Sequence, residues 1–357
     1  LKILDRYILK KFLVTFLFAI LILAIIACVI DYSEKIDDLV KNKAPFLSII
    51  LYFINFIPSI IALLYPLFIF IAAIFFTSKM AYRSEIIASL AAGISFRRFL
   101  LPYLFGGLIL GTASLIANHW VVPMGNKNIH EFYTKYIWNK RISADQNVHL
   151  RLSPSEYIYV ENYNFASNSG DHFTAETFEG TLLKEKVFAD RISYDTVTKE
   201  WKLSGVVIRK NEGLKESITE MSSLKKAYAF APDDLDYDDR GKEAMTSPEL
   251  YRYAQKELRR GRENVNAFLF ELYRRTSDSV AGIILTFMAA CIASRKIRGG
   301  SGFHLAIGIV LSAVYIMFMQ FAKTFSINSG VNPLAAAWVP NIIFSVIALY
   351  LFWKETR

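Results

Sequence analysis

Cysteine is nearly absent from these 357 residues, and charge is absent from long parts of them. Cys28 and Cys291 both lie inside apolar runs, which excludes the disulfide framework of a small secreted domain. The 41 Lys and Arg and 32 Asp and Glu avoid six stretches altogether: residues 12–30, 44–78, 99–126, 279–294, 299–322 and 324–353. A bilayer core takes about 20 apolar helical residues to cross, so a soluble globular protein is excluded. In the first stretch 14 of 19 residues are Leu, Ile, Phe or Val. Each favours insertion by roughly 0.3–0.6 kcal/mol at a helix centre, a sum that one polar residue would not reverse.

Chemistry-bearing motifs are also scarce. No G-x-x-x-x-G-K-[S/T] occurs, and the only Gly-Lys pair, Gly241-Lys242, is followed by Glu243. A phosphate cradle needs that glycine spacing and its lysine, so an ATP-driven role requires a separate ATPase subunit. The five histidines show no metal-ligand spacing. The acidic run Asp233, Asp234, Asp236, Asp238 and Asp239 fails as an EF-hand. In register from Asp234, Asp239 takes the glycine position and Met245 the bidentate position, so the run reads as a solvated connector. Gly299-Gly300-Ser301-Gly302 has the G-x-S-G of intramembrane serine proteases. Ser301 and His304 are nevertheless only three residues apart, and the segment reads as a flexible turn. Ile25-Ile26-Ala27-Cys28 imitates a lipoprotein cleavage box, yet five further spans would remain after cleavage. The net charge of +9 is spread over short segments bordering the spans, which fits membrane anchoring and not nucleic acid. No catalytic residue and no metal ligand are expected.

What is present is a layout of three spans, a polar stretch over residues 127–278, and three more spans. Residues 44–56 read as partly interfacial, leading into a tilted span that carries Pro58 and Pro66. With one crossing per run, one side receives thirteen basic residues, from Lys2 and Arg6 to Lys354 and Arg357. The short segments opposite hold only Lys35, Lys41, Lys43 and Lys323. The positive-inside rule then puts both termini in the cytoplasm and the large insert outside. Within the insert, residues 148–152, 157–160, 173–178, 186–190, 201–209, 216–221 and 227–230 are short, β-branched and aromatic, and separated by turn residues. They predict an all-β sandwich, jelly roll or partly open barrel. Ser247, Pro248 and Glu249 predict the start of a helix through Arg260, ended by Gly261. The expected fold is an α-helical membrane protein with six transmembrane helices (3+3) and an inserted all-β, jelly-roll-like domain. Its parts are 1–126, 127–262 and 263–357.

Two segments stand out. After Arg83, Ser84 and Glu85 predict a helix cap and first turn. Ile86, Ile87, Leu90, Ala91 and Ile94 then fall on one face, and Arg97 and Arg98 close the segment. This is a short amphipathic cytoplasmic helix, suited to the membrane surface or to a partner. Past span one, Asp31, Glu34, Lys35, Asp37, Asp38, Lys41 and Lys43 predict a mixed-charge continuation of the helix. It would be solvated through pairs such as Asp37 with Lys41, or would set its lysines against anionic headgroups.

Leu4-Asp5-Arg6-Tyr7-Ile8, Arg83-Ser84-Glu85-Ile86-Ile87 and Ala92-Gly93-Ile94-Ser95 resemble the LptF/LptG (YjgP/YjgQ) family of lipopolysaccharide-export permeases. Ala189-Asp190-Arg191 and Trp201-Lys202-Leu203 look like its β-domain motif, and Leu4 to Ile8 lean to its LptG branch. The resemblance runs nearly the full length. It implies a half-transporter of the bacterial inner membrane with a periplasmic β-domain, paired with a related permease, an LptB-type ATPase dimer, LptC and a periplasmic bridge protein. It implies no cofactor on this chain, with ATP and Mg bound by the ATPase. Residues 84–95 would be the coupling helix, with Arg83, Ser84, Glu85, Ile86, Ile87 and Leu90 at the ATPase contact. Span one would form a lateral gate with span five of the partner. Lys35, Lys41 and Lys43 occupy the region where family lysines meet lipid phosphates. Two other classes remain open at this point: a membrane-embedded enzyme of envelope lipids, and an ATPase-coupled protein that transmits force without moving lipid.

Overall fold

The computed structural model describes residues 2–137, 147–165, 167–196, 198–213, 215–235, 241–259, 265–295 and 300–356. The chain forms two compact units. One comprises residues 1–137, 242–251 and 266–357, and the other residues 138–241 and 252–265.

The first unit is a helical bundle. Six of its helical stretches are long and apolar enough to cross a membrane, so the chain is an integral membrane protein. They are α1 (Ile3–Lys41), α2 (Phe46–Tyr82), a continuous stretch Phe96–Tyr136, α7 (Val265–Ala293), α8 (Gly300–Asn328) and α9 (Pro333–Thr356). The third stretch consists of α4 (Phe96–Ile116), a π-helical turn (Ala117–Val121) and α5 (Val122–Tyr136). A seven-residue helix, α3 (Glu85–Ala91), links α2 to α4.

The segment before span two and the span itself are continuous. Residues 46–82 are one helix of 37 residues with Pro58 and Pro66 inside it, because packing against its neighbours compensates the lost backbone bonds. The segment after span one is helical to Lys41, as the charge spacing predicts. The ion pair on it joins Asp31 and Lys35.

The bundle core is built from one stripe per helix. On α1, Ile8, Phe12, Phe16, Ile20 and Ala24 recur every four residues and are buried. The first four share one core cluster with Tyr65, Ile69 and Phe70 of α2, Phe99 and Tyr103 of α4, and Leu285 and Met288 of α7. A Cβ on Gly107 would lie 3.3 Å from Cα of Ile283, and one on Gly111 would lie 3.1 Å from the Ser279 carbonyl. This Gly-x-x-x-Gly pair lets α4 and α7 approach backbone to backbone. Between α7, α8 and α9, Asn341 Nδ2 donates to the Ser277 carbonyl (2.8 Å). Tyr315 Oη donates to Asn341 Oδ1 (3.0 Å).

The second unit carries one six-stranded antiparallel sheet in sequence order. The strands are β1 (Val148–Ser153), β2 (Glu156–Asn164), β3 (Ser169–Glu179), β4 (Leu182–Asp195), β5 (Glu200–Glu212) and β6 (Lys215–Lys226). Every strand pairs with its chain neighbours, so the described strands form a meander without the crossovers of a double Greek key. The strand expected at 227–230 is not one. Tyr228 and Phe230 tuck under the sheet instead, where Trp201 Nε1 donates to the Phe230 carbonyl (3.0 Å) and the two rings stack 4.5 Å apart. Pro232 follows and begins a short 3-10 turn. In the acidic run, Asp234 bonds the Ala231 amide (3.0 Å) and Lys256 Nζ (3.1 Å); Asp236, Asp238 and Asp239 lie outside the described residues.

Two end signals are displaced. The helix α6 (Ser247–Arg259) is capped by Thr246, whose amide and hydroxyl donate to Glu249 Oε2 at 2.9 and 2.7 Å. Arg260 and Gly261 lie outside the described residues. Of the turn expected at Gly299–Gly302, residues 300–302 are already helical as the start of α8; residues 296–299 are outside the described set.

Candidate functional site

Three polar assemblies interrupt the apolar bundle. The first sits where α2, α3 and the start of α4 meet the first turn of α1. Arg83 ends α2 and is exposed. Ser84 occupies the cap position of α3 with φ +62°, and its side chain makes no capping bond, contrary to the expected cap. The left-handed turn redirects the chain, a conformation in which a serine hydroxyl no longer faces the amides of the first turn.

The predicted apolar face of α3 divides in two. Ile86 is 1% exposed and belongs to the bundle core, whereas Ile87 (51%) and Leu90 (39%) face outward. Glu85 accepts from Tyr7 Oη (3.3 Å) and lies 4.0 Å from Arg83. The helix covers residues 85–91 and not 84–95. After it Gly93 turns at φ +88°, and Ser95 caps α4 by accepting from the Arg98 amide (3.3 Å). Asp5 ties this corner together, accepting from the Lys2 amide (2.7 Å) and from Arg98.

The second assembly is at the far end of α1. Lys35 pairs with Asp31 and donates to Tyr52 Oη (3.0 Å) and Tyr133 Oη (2.6 Å). Lys41, the last residue of α1, and Lys43, at φ +51° in the following turn, are exposed. The structure therefore separates the three lysines, one caged and two free-standing in solvent.

The third assembly was not foreseen from the sequence. Glu271, Arg274, Arg275 and Asp278 fall inside α7, where the charge-free stretch seemed to start only at Ser279. Arg274 bridges Glu271 (2.9 Å) and Asp278 (2.8 Å). Arg275, 3% exposed, donates to Glu271 Oε1 (3.3 Å), the Met245 carbonyl (2.9 Å), Ser247 Oγ (3.1 Å) and the Lys242 carbonyl (3.1 Å). A cavity of about 200 Å³ lies against this quartet and is also lined by Ser59, Asn118 and Asn126. Asn118 is on the π-helical turn, and the extra residue in that turn aims its side chain at the Arg275 carbonyl and at Ser279. The only signal available in the sequence was the i, i+3, i+4, i+7 spacing of the four charges. Among the described residues no group of three His, Cys, Asp or Glu side chains is placed to hold a metal ion.

Six spanning helices in two groups of three, an antiparallel β insert and a short half-docked helix between spans two and three describe a multi-pass membrane protein whose sequence carries no nucleotide-binding motif. Residues 6–354 match the family described as lipopolysaccharide export system permease LptF/LptG, and the chain belongs to that family. It is 18% identical to the lipopolysaccharide export system permease protein LptG of Escherichia coli K12, over 99% of each chain. It is 20% identical to the protein of that name from Haemophilus influenzae Rd, over 99% of this chain and 98% of the relative. The family and the resemblance read from Leu4–Ile8 and Arg83–Ile87 agree.

Proposed function

We propose that this chain is one half of an ATP-driven transporter that takes lipopolysaccharide out of the bacterial inner membrane and passes it to a periplasmic bridge. In this reading both termini are cytoplasmic and the β unit is periplasmic. The chain pairs with a second LptF/LptG-type permease, an LptB-type ATPase dimer that alone binds ATP and Mg, and LptC. It has no catalytic site of its own. The relatives' printed names support the LptG role within that pair.

Physical chemistry supports the division of labour. Removing a multi-acyl lipid from the bilayer costs about 0.8 kcal/mol per methylene unless another apolar surface receives the chains. Such a surface exists on the side of α1 opposite its core stripe, where Val14, Leu17, Phe18, Leu21, Ile25 and Val29 are all more than half exposed. Of the six spans, α1 and α8 bury the smallest share of their apolar windows, which suits a lateral gate with the partner permease. Lys41 and Lys43 at the end of that stripe suit the anionic headgroup.

The observation that carries the reading is α3. Ile86 locks one side of the helix into the bundle while Ile87, Leu90 and Glu85 remain available on the other, so a push on the exposed side is delivered to the core. Copurification of the full chain with the ATPase and the partner permease tests this. Glu85→Ala and Leu90→Ser are expected to reduce ATPase recovery and lipopolysaccharide-stimulated hydrolysis about tenfold while the bundle's melting temperature holds. Unchanged recovery and hydrolysis in both variants would sink the assignment of α3.

A further inference from the structure

Helix α3 is joined through the backbone to α2 and α4, yet the span least covered by its neighbours is α1. A displacement of α3 therefore reaches the base of α1 across side-chain contacts. Two polar contacts span that gap. Tyr7 Oη donates to Glu85, the first residue of α3 (3.3 Å), and the Tyr7 ring stands edge-on to Phe76 of α2 at 6.4 Å. Asp5, 3% exposed, pairs with Arg98 in the first turn of α4. Among the described residues this is the only ion pair that joins α1 to another helix.

The chain from α3 to Arg98 is closed by its own hydrogen bonds. The Gly93 amide donates to the Leu90 carbonyl (3.0 Å) and the Ile94 amide to the Ser89 carbonyl (3.2 Å), after which Ser95 caps α4. α3 and the first turn of α4 thus form one block. Further along, α1 holds to the bundle through apolar residues, and the Phe12 ring fills the notch at Gly106 of α4, where a Cβ would lie 2.6 Å from Phe12 Cδ1. Asp5 and Phe12 are seven residues apart, Arg98 and Gly106 eight. At the helical rise the two contacts lie about 11 Å apart along both helices, so α1 and α4 run in register. Apolar contact has no preferred direction and lets a helix turn or slide, whereas a charged hydrogen bond fixes which residue faces which.

We propose that the ion pair between Asp5 and Arg98 is the link that carries a displacement of α3 to α1. Both are positioning residues, acting through the base of α1 and the block that contains α3. The proposal rests on the reading of α3 as the ATPase contact and adds the route from that contact to the lipid-facing helix. On that reading the ATPase engages Glu85 and so competes with Tyr7 for it. Asp5 and Arg98 lie outside the contact, and their pair persists when the ATPase docks.

The test uses the full chain, carrying Cys28→Ala and Cys291→Ala, in complex with its partner permease and ATPase in nanodiscs. Spin labels at Lys10 and Lys354, exposed near the same end of α1 and α9, report the position of α1 within the bundle. ATP hydrolysis and lipopolysaccharide released per ATP are read on the same complex. In the wild type, ATP is expected to change the distance between the labels. Asp5→Asn, which still accepts the Lys2 amide, and Arg98→Gln should each abolish most of that change and lower lipid released per ATP by about fivefold or more, the usual lower bound for coupling between two sites. ATPase recovery and hydrolysis should hold. The double variant should lose no more than either single one, because both remove the same interaction, and Arg98→Lys should restore most of the coupling. If α1 moves as far in both single variants as in the wild type, the pair is not the link and the proposal falls while the reading of α3 stands. Loss of the complex together with the movement in both variants would make the pair a fold contact and overturn the proposal equally. If the wild type recruits the ATPase but α1 does not move, the proposal alone falls. If it recruits no ATPase, the reading of α3 falls and the proposal with it.

Discussion

A guanidinium inside a membrane bundle persists only if its N–H groups find acceptors and its charge finds a partner. Arg275 meets both conditions through Glu271, two backbone carbonyls and Ser247, and Arg274 does so through Glu271 and Asp278. Removing one partner of such a set strands the others, at a cost of about 3–5 kcal/mol. Arg275→Met is therefore expected to lower the thermal midpoint of the detergent-solubilised chain well beyond what Lys41→Ala does, since Lys41 is exposed and such surface changes usually stay within about 0.5 kcal/mol. Equal midpoints for the two variants would show that the quartet is not a structural clamp. Along the chain only the spacing of the four charges hints at this. The four charges between residues 271 and 278 look like the end of a polar segment, and only the contacts with residues 242–247 turn them into the first turns of a spanning helix.

At the scale of elements, the helix pair α4 and α7 is set by the absence of side chains. Gly107 and Gly111 give α7 room at Ile283 and Ser279, so van der Waals contact supplies what the hydrophobic effect cannot supply within lipid. Gly111→Leu is expected to force the pair apart at a cost of about 1–3 kcal/mol. A drop in the thermal midpoint and faster proteolysis between α6 and α7 would report it. No change in either would mean the helices already have slack. The span count, the helical continuation to Lys41 and the helix after Arg83 were legible from charge and apolar spacing, because those signals are local. The extent of α2 and the split face of α3 were not. Whether Ile87 is covered depends on which neighbour reaches it, and local spacing gives all its apolar positions equal weight.

The whole molecule consists of a bundle and a sheet unit with separate cores. Trp201 anchors the second, 1% exposed and stacked on Phe230. Trp201→Ala should cost that unit about 3–5 kcal/mol. Hydrogen exchange is expected to show lost protection over β2 to β5 with α2 and α7 still protected. Loss of protection in both would show that the two cores melt as one.

By itself the sequence determined that this is a six-span membrane protein with a β insert and an exposed helix between spans two and three. Those properties follow from runs of transfer free energy and short-range periodicity, which the order of residues fixes. Only the tertiary structure decided that Lys35, paired one turn back with Asp31, also meets Tyr52 and Tyr133 while Lys41 faces water, and that a charged quartet is held at the start of α7. Pairing of a charge depends on residues 17 to 98 positions away, and no local pattern specifies which of them will arrive.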